Sequence, residues 1–93
     1  MAYKIEWTRL AKEDYTEIVS YLYDIWGDLS AEKFTNNLQA SLGRLEEYPF
    51  IGKEDNFIPS MRKLVLGKRH SLFYTVYDDI VLIMNIKSTS RKR

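Results

Sequence analysis

The apolar positions of this chain change their spacing twice. Tyr3, Ile5 and Trp7 alternate with Lys4 and Glu6, the period-two pattern of a half-buried strand. Thr8 follows as a helix N-cap, its hydroxyl placed to accept an orphan N–H of the first turn. From there Leu10, Ala11, Tyr15, Ile18, Val19, Leu22, Ile25 and Trp26 recur at helical spacing, with Lys12, Glu13, Asp14, Glu17 and Asp24 between them as a solvated face. This predicts an amphipathic helix of about five turns. Gly27 suits the left-handed C-terminal position, and Ser30 is expected to cap a second helix with the stripe Ala31, Phe34, Leu38, Leu42 and Leu45, ending before Pro49. A connection as short as Gly27 to Leu29 makes the helices antiparallel neighbours, a hairpin with an apolar face to cover.

The stretch YPFIGKEDNFIPS, residues 48–60, holds both prolines and no sustained period, and reads as a loop. Beyond it the period returns to two. Leu64 and Leu66, then Leu72, Tyr74 and Val76, then the run from Ile80 to Ile86, predict three strands separated by Gly67-Lys68 and by a tight Asp78-Asp79 hairpin. The last run is almost unbroken in apolar residues, as a central strand requires. The expected fold is α+β, in the order β-α-α-β-β-β, with a helical hairpin packed on one face of a small antiparallel sheet. Residues 1–93 are expected to form a single domain, since a chain this short buries only about 60 to 65% of its unfolded surface.

Composition narrows the chemistry. With 45% hydrophobic and 29% charged residues the chain has the balance of a globular protein. It has no cysteine and one histidine, which leaves no thiolate site and no histidine cluster, so neither a metal nor another cofactor is expected. No apolar run reaches the about 20 residues that cross a bilayer, and the start MAYKIEW lacks a secretory pattern, so a cytoplasmic location and no membrane partner are expected. The net charge of +1 hides an asymmetry. Residues 1–61 carry 6 basic and 11 acidic side chains, a net of −5, and residues 62–93 carry 8 basic and 2 acidic, a net of +6. A local positive field of this kind steers an anionic partner.

The basic residues sit at the strand ends: Arg62 and Lys63, then Lys68 and Arg69 before His70, then Lys87 with Arg91, Lys92 and Arg93. Alternation puts Arg62, Leu64 and Leu66 on one face and Lys63 and Val65 on the other, with Arg62 at the rim and its guanidinium reaching past the core. Arginine and lysine grip phosphates and stabilise charge in phosphoryl transfer, and cutting RNA needs in addition a group that titrates near neutrality. His70 is the candidate for that role. Tyr74 and Tyr77 are candidates to stack on a base, set against ordinary packing in a strand.

Several stretches taken together resemble the RelE/ParE superfamily of bacterial type II toxin-antitoxin toxins, often labelled plasmid stabilization proteins. They are AKEDYTEIVSYL (11–22), GDLSAEKF (27–34), the L-x-x-Y-P-F-I-G of residues 45–52, MRKLVLG (61–67) and FYTVYDDIVLIMNI (73–86). The resemblance covers nearly the whole chain and implies a toxin neutralised by a cognate antitoxin, in a toxin-antitoxin hetero-oligomer. It also implies one of two targets. RelE-like members cut mRNA on the ribosome with basic strand residues and a tyrosine or histidine near the C-terminus; ParE-like members inhibit DNA gyrase and lack that set. Arg62 and Lys87 match the family's basic positions, but Lys87-Ser88-Thr89-Ser90-Arg91 holds no tyrosine or histidine, which favours the ParE-like branch. If the chain is a ribonuclease, Arg62, Lys87 and His70 are its expected catalytic residues, with Lys63, Lys68, Arg69, Tyr74, Arg91, Lys92 and Arg93 as a binding surface. A third reading is a degenerate, non-toxic binding module.

Overall fold

The computed structural model describes residues 2–88. Its elements are β1 (Lys4–Trp7), α1 (Arg9–Trp26), α2 (Asp28–Glu47), β2 (Lys53–Glu54), β3 (Met61–Leu66), β4 (His70–Tyr77) and β5 (Ile80–Ser88). The fold is α+β in the expected order, with one addition: the stretch read wholly as loop contains the two-residue strand β2. Two residues are too few to show a period, so β2 exists only through its pairing with β3.

Thr8 caps α1, its hydroxyl accepting the Ala11 N–H at 3.0 Å. Ser30 does not cap α2. Gly27, at φ +97°, ends α1 and starts α2 at once, and its carbonyl takes the Ala31 N–H at 3.3 Å. Asp28 then brings a carboxylate into the first turn of α2, where the helix dipole favours it. The two helices cover one face of a sheet ordered β1-β5-β4-β3-β2, in which β1 runs parallel to β5 and the other pairs are antiparallel. The core is one cluster: Ala11, Leu22, Ala31, Phe34, Leu38 and Leu45 from the helices against Leu66, Leu72, Tyr74, Val81, Ile83 and Ile86 from the sheet. The apolar stripe of α1 outruns the surface available to cover it, and Leu10, Ile25 and Trp26 stand exposed.

β5 is an interior strand, second from the β1 edge, in keeping with its apolar run. It is flanked by β4 on one side and by β1 as far as Ile83 on the other. A bulge lets Met84 fall between the Tyr74↔Ile83 and Phe73↔Asn85 pairs. Asp78-Asp79 turns the β4–β5 hairpin with Asp78 at φ +53°, the left-handed conformation such a tight turn uses. Among the described residues, no helix is long and apolar enough to cross a membrane.

Candidate functional site

The pleat divides the candidate residues between two faces of the sheet. Arg62, Tyr74 and His70 lie on the helix-covered face with Leu64, Leu66 and Leu72, while Lys63, Phe73 and Lys87 lie on the face that carries no helix.

On the covered face each candidate is occupied. Arg62 does not reach past the core into solvent. Its guanidinium turns back onto the loop, donating to the Gly52 carbonyl at 2.8 Å and the Phe50 carbonyl at 3.1 Å, pairing with Glu54 at 3.3 Å, and lying 5.1 Å from the centre of the Phe50 ring. Each partner comes from residues 50–54, so the arginine holds the loop and β2 against β3. Tyr74, a candidate to stack on a base or to pack in its strand, is fully buried, and its hydroxyl accepts the Gly52 N–H at 2.8 Å. Burial raises its phenol pKa above the usual value, the opposite of what a proton acceptor at neutral pH needs. Its ring offers no surface to a base, because the bulky side chain of a central strand is used to fill the core.

His70 packs edge-on against Phe34 of α2, ring centres 4.8 Å apart. Burial, and secondarily the positive charge of Arg69, lower its pKa below 6.5. The register does bring His70 opposite Ser88, beside Lys87 in sequence, but with its ring on the covered side while Lys87 points to the open side. The carboxylates of α1 are not uniformly solvated either: Asp14 accepts the Ile86 N–H at 3.0 Å.

The open face carries three lysines, Lys53, Lys63 and Lys87. Lys53 of β2 stands directly opposite Lys63 of β3, Lys63 is opposite Phe73 of β4, and Phe73 is opposite Asn85 of β5. One register step along, Val65, Ser71 and Lys87 form a second row, and the Lys87 ammonium lies 5.9 Å from the centre of the Phe73 ring. Lys68 and Arg69, in the β3–β4 turn, are exposed at the same end of the sheet as Lys87, and Tyr77 is exposed at the opposite end of β4. Arg91, Lys92 and Arg93 lie outside the described residues. Among the described residues, no group of three or more His, Asp and Glu side chains gathers to hold a metal ion.

Lys53, Phe73, Asn85 and Ser71 belong to this face without having been marked by the sequence. Lys53 sits in a strand too short to have a period, and Leu72-Phe73-Tyr74 is apolar throughout, so alternation cannot say which ring faces out. At the β1 edge of the sheet, a groove between α1 and α2 is lined by Trp7, Lys12, Tyr15, Thr16, Leu38 and Gln39. The helical hairpin ends in an apolar knob where Trp26 is 62% and Leu29 76% exposed.

The family model described as the ParE toxin of the type II toxin-antitoxin system parDE matches residues 5–93. Toxin ParE1 of Mycobacterium tuberculosis is 39% identical over 67 residues, covering 71% of this chain and 67% of that protein. Toxin ParE1 of Caulobacter vibrioides is 29% identical over 69 residues, 74% of this chain and 72% of that one. Among solved structures, a chain of the chromosomal ParDE system from P. aeruginosa superimposes with a TM-score of 0.80 at 20% identity, covering 96% of this chain and 98% of that chain. A chain of the intact E. coli RelBE toxin-antitoxin complex gives a TM-score of 0.68 at 19% identity, covering 97% and 100%. At these identities the likeness to solved structures is one of fold.

Proposed function

This chain belongs to the ParE toxin family of type II toxin-antitoxin systems, and from that premise we propose that it arrests growth by acting on DNA gyrase and is neutralised by a cognate antitoxin. The observation that carries the choice of target is the division of the catalytic candidates across the sheet. A ribonuclease needs a proton-transferring group within hydrogen-bond reach of the groups that hold the phosphate. Here His70 is packed against Phe34 and Arg62 is committed to loop carbonyls on the covered face, while Lys63 and Lys87 are on the other. Asp55, the carboxylate near Lys63, is engaged by the Phe57 and Ile58 N–H groups, which hold its pKa low and leave it a weak base.

A protein partner is supported by the apolar surface that the fold leaves bare. Ile25, Trp26 and Leu29 at the end of the hairpin, with the groove lined by Trp7, Tyr15 and Leu38, form the kind of surface an antitoxin segment covers. The ParDE and RelBE structures similar to this chain are toxin-antitoxin systems. A toxin-antitoxin hetero-oligomer is the expected resting state.

One observation favours the other target. The open face carries Lys53, Lys63 and Lys87 around Phe73, a surface suited to phosphates, and on that reading the chain is a RelE-like ribosome-dependent mRNA endoribonuclease. Tightly controlled induction, with and without a co-expressed cognate antitoxin, separates the two. Arrest with intact message and loss of negative supercoiling by gyrase is the expected result. Arrest with site-specific cuts in translated message, read by primer extension, overturns it in favour of the nuclease. Undiminished growth places the chain with the degenerate, non-toxic modules.

A further inference from the structure

The end of the molecule remote from the tip of the helical hairpin combines bare rings with unpaired carboxylates. Backbone bonds gather it from separate parts of the chain. The Tyr3 N–H donates to the Glu46 carbonyl at 2.9 Å, holding the end of α2, and the Lys4 N–H donates to the Asp79 carbonyl at 2.8 Å, holding the β4–β5 turn. The loop of residues 48–60 starts from the same place, and its far part is tied to β4 by the Thr75 hydroxyl, which donates to the Ser60 carbonyl at 2.8 Å. Tyr48, Phe50, Ile51, Phe57, Ile58 and Tyr77 are exposed here, Phe57 to 91%. Phe57 is nevertheless held firmly. The Asp55 carboxylate accepts the Phe57 and Ile58 N–H groups at 2.8 and 2.7 Å, the Asp55 N–H donates to the Met61 carbonyl at 2.9 Å, and the Met61 N–H donates to the Ile58 carbonyl at 3.0 Å. Glu46, Glu47, Asp78 and Asp79 surround these residues, all exposed and none in an ion pair among the described residues. Glu46 and Glu47 close α2, where the helix dipole disfavours negative charge. Lys4 is exposed beside this rim, and Lys53 faces Lys63 on the open side of the sheet, so the rim is acidic on balance.

We propose that this end is a docking surface for a protein whose apolar pocket is rimmed by arginine or lysine, with Phe57 filling the pocket and Glu46, Glu47, Asp78 and Asp79 meeting the rim. The four exposed rings leave about 500 Å² of aromatic surface bare. That is as much as the largest patch on a typical monomer, and more than half of one partner's share of a standard interface. An aromatic side chain already held out from the surface loses little freedom on binding, which is what an interface anchor requires. Charge selects the partner. A nucleic acid, or a second copy in symmetric contact, would set negative charge against these carboxylates. The bare tip of the helical hairpin, the surface that suits an antitoxin, lies about 30 Å away along the 20 residues of α2. An enzyme that holds DNA presents cationic surface to its phosphates, so the partner with this chemistry is the topoisomerase target, and the contact rests on the gyrase reading of this chain.

The test is inhibition of supercoiling by purified gyrase, with affinity read by biolayer interferometry of the full chain on immobilised gyrase at increasing salt. Phe57→Ala removes a ring that stands almost wholly in solvent, and is expected to weaken binding and inhibition roughly tenfold or more with the thermal midpoint unchanged. The pair Glu46→Gln and Glu47→Gln, and the pair Asp78→Asn and Asp79→Asn, are each expected to weaken binding about two- to fivefold and to flatten its salt dependence. Asparagine keeps the left-handed conformation that Asp78 adopts. Asp55→Ala frees the turn that carries Phe57 and is expected to weaken binding, whereas Asp55→Asn, which keeps an acceptor, restores most of it. Trp26→Ala and Leu29→Ala, at the hairpin tip, are expected to inhibit as the parent does. Two outcomes overturn the proposal and leave the gyrase reading standing: a Phe57→Ala chain that inhibits as strongly as the parent, or a loss carried instead by the tip variants or by Lys63→Gln and Lys87→Gln. A parent chain that arrests growth but neither binds nor inhibits gyrase overturns the gyrase reading and this contact with it.

Discussion

The Tyr74 hydroxyl, at the bottom of the core, accepts the N–H of Gly52, twenty-two residues away in the chain. That bond and the Arg62 bonds to the Phe50 and Gly52 carbonyls are what fix the loop between α2 and β3 on the sheet. Tyr74→Phe removes the acceptor and leaves a buried N–H orphaned, which is expected to cost about 1–3 kcal/mol in urea unfolding. Gly52 has no room for a side chain: a Cβ there would stand 2.5 Å from the Tyr74 Oη and 2.9 Å from the Lys63 carbonyl. His70 makes a second prediction at this scale. Burial against Phe34 holds its pKa below the 6.5 it has when unfolded. The unfolded chain therefore takes up the proton first, so the contribution of His70 is fully present above about pH 6.5 and is lost as the pH falls from there through the lower folded value. His70→Gln is expected to unfold with a shallower loss of stability as the pH falls below about 6.5, above the ordinary carboxylate range. Parallel pH curves for the two proteins would contradict this.

At the scale of elements, the edge of β5 away from β4 is held by a strand for about half its length and by a helix beyond it. β1 pairs with it as far as Trp7 and Ile83. Beyond that point the start of α1 stands in for a strand: the Thr8 hydroxyl donates to the Met84 carbonyl at 2.8 Å, at the bulge, and the Asp14 carboxylate accepts the Ile86 N–H at 3.0 Å. Thr8 thus caps a helix and a bulge with one hydroxyl. Asp14→Ala is expected to destabilise the fold by about 1–3 kcal/mol and to speed hydrogen exchange at the Ile86 amide, while Val81 and Ile83 keep the protection that β1 gives them. Asp14→Asn, which keeps an acceptor, is expected to lose less. Equal exchange at Ile86 in both variants and the parent would show that the carboxylate is incidental. The end of β5 also carries Lys87, so the helix that closes the strand's edge steadies one cation of the open face.

The whole molecule turns one sheet into two unlike surfaces. One face is covered by α1 and α2, which belong to the acidic part of the chain, and the other presents Lys53, Lys63 and Lys87 to solvent. This is how a modest net charge of +1 leaves a concentrated positive surface. The growth assay is a prediction at this scale, because the choice of target depends on which side of the sheet each candidate residue occupies. The amino-acid sequence by itself determined the number and kind of the main elements, the hairpin of helices, the Asp78-Asp79 turn and the inward faces of β3 and α2, since helix and strand periods are set by backbone geometry among near neighbours. It also located the basic residues at strand ends. Only the tertiary structure decided that β2 exists, that Lys53 meets Lys63, that Arg62 grips a loop, and that His70 and Lys87 part to opposite faces. Each of these follows from the register between segments far apart in sequence, and a shift of one residue, which local propensity barely resists, exchanges the two faces of a strand.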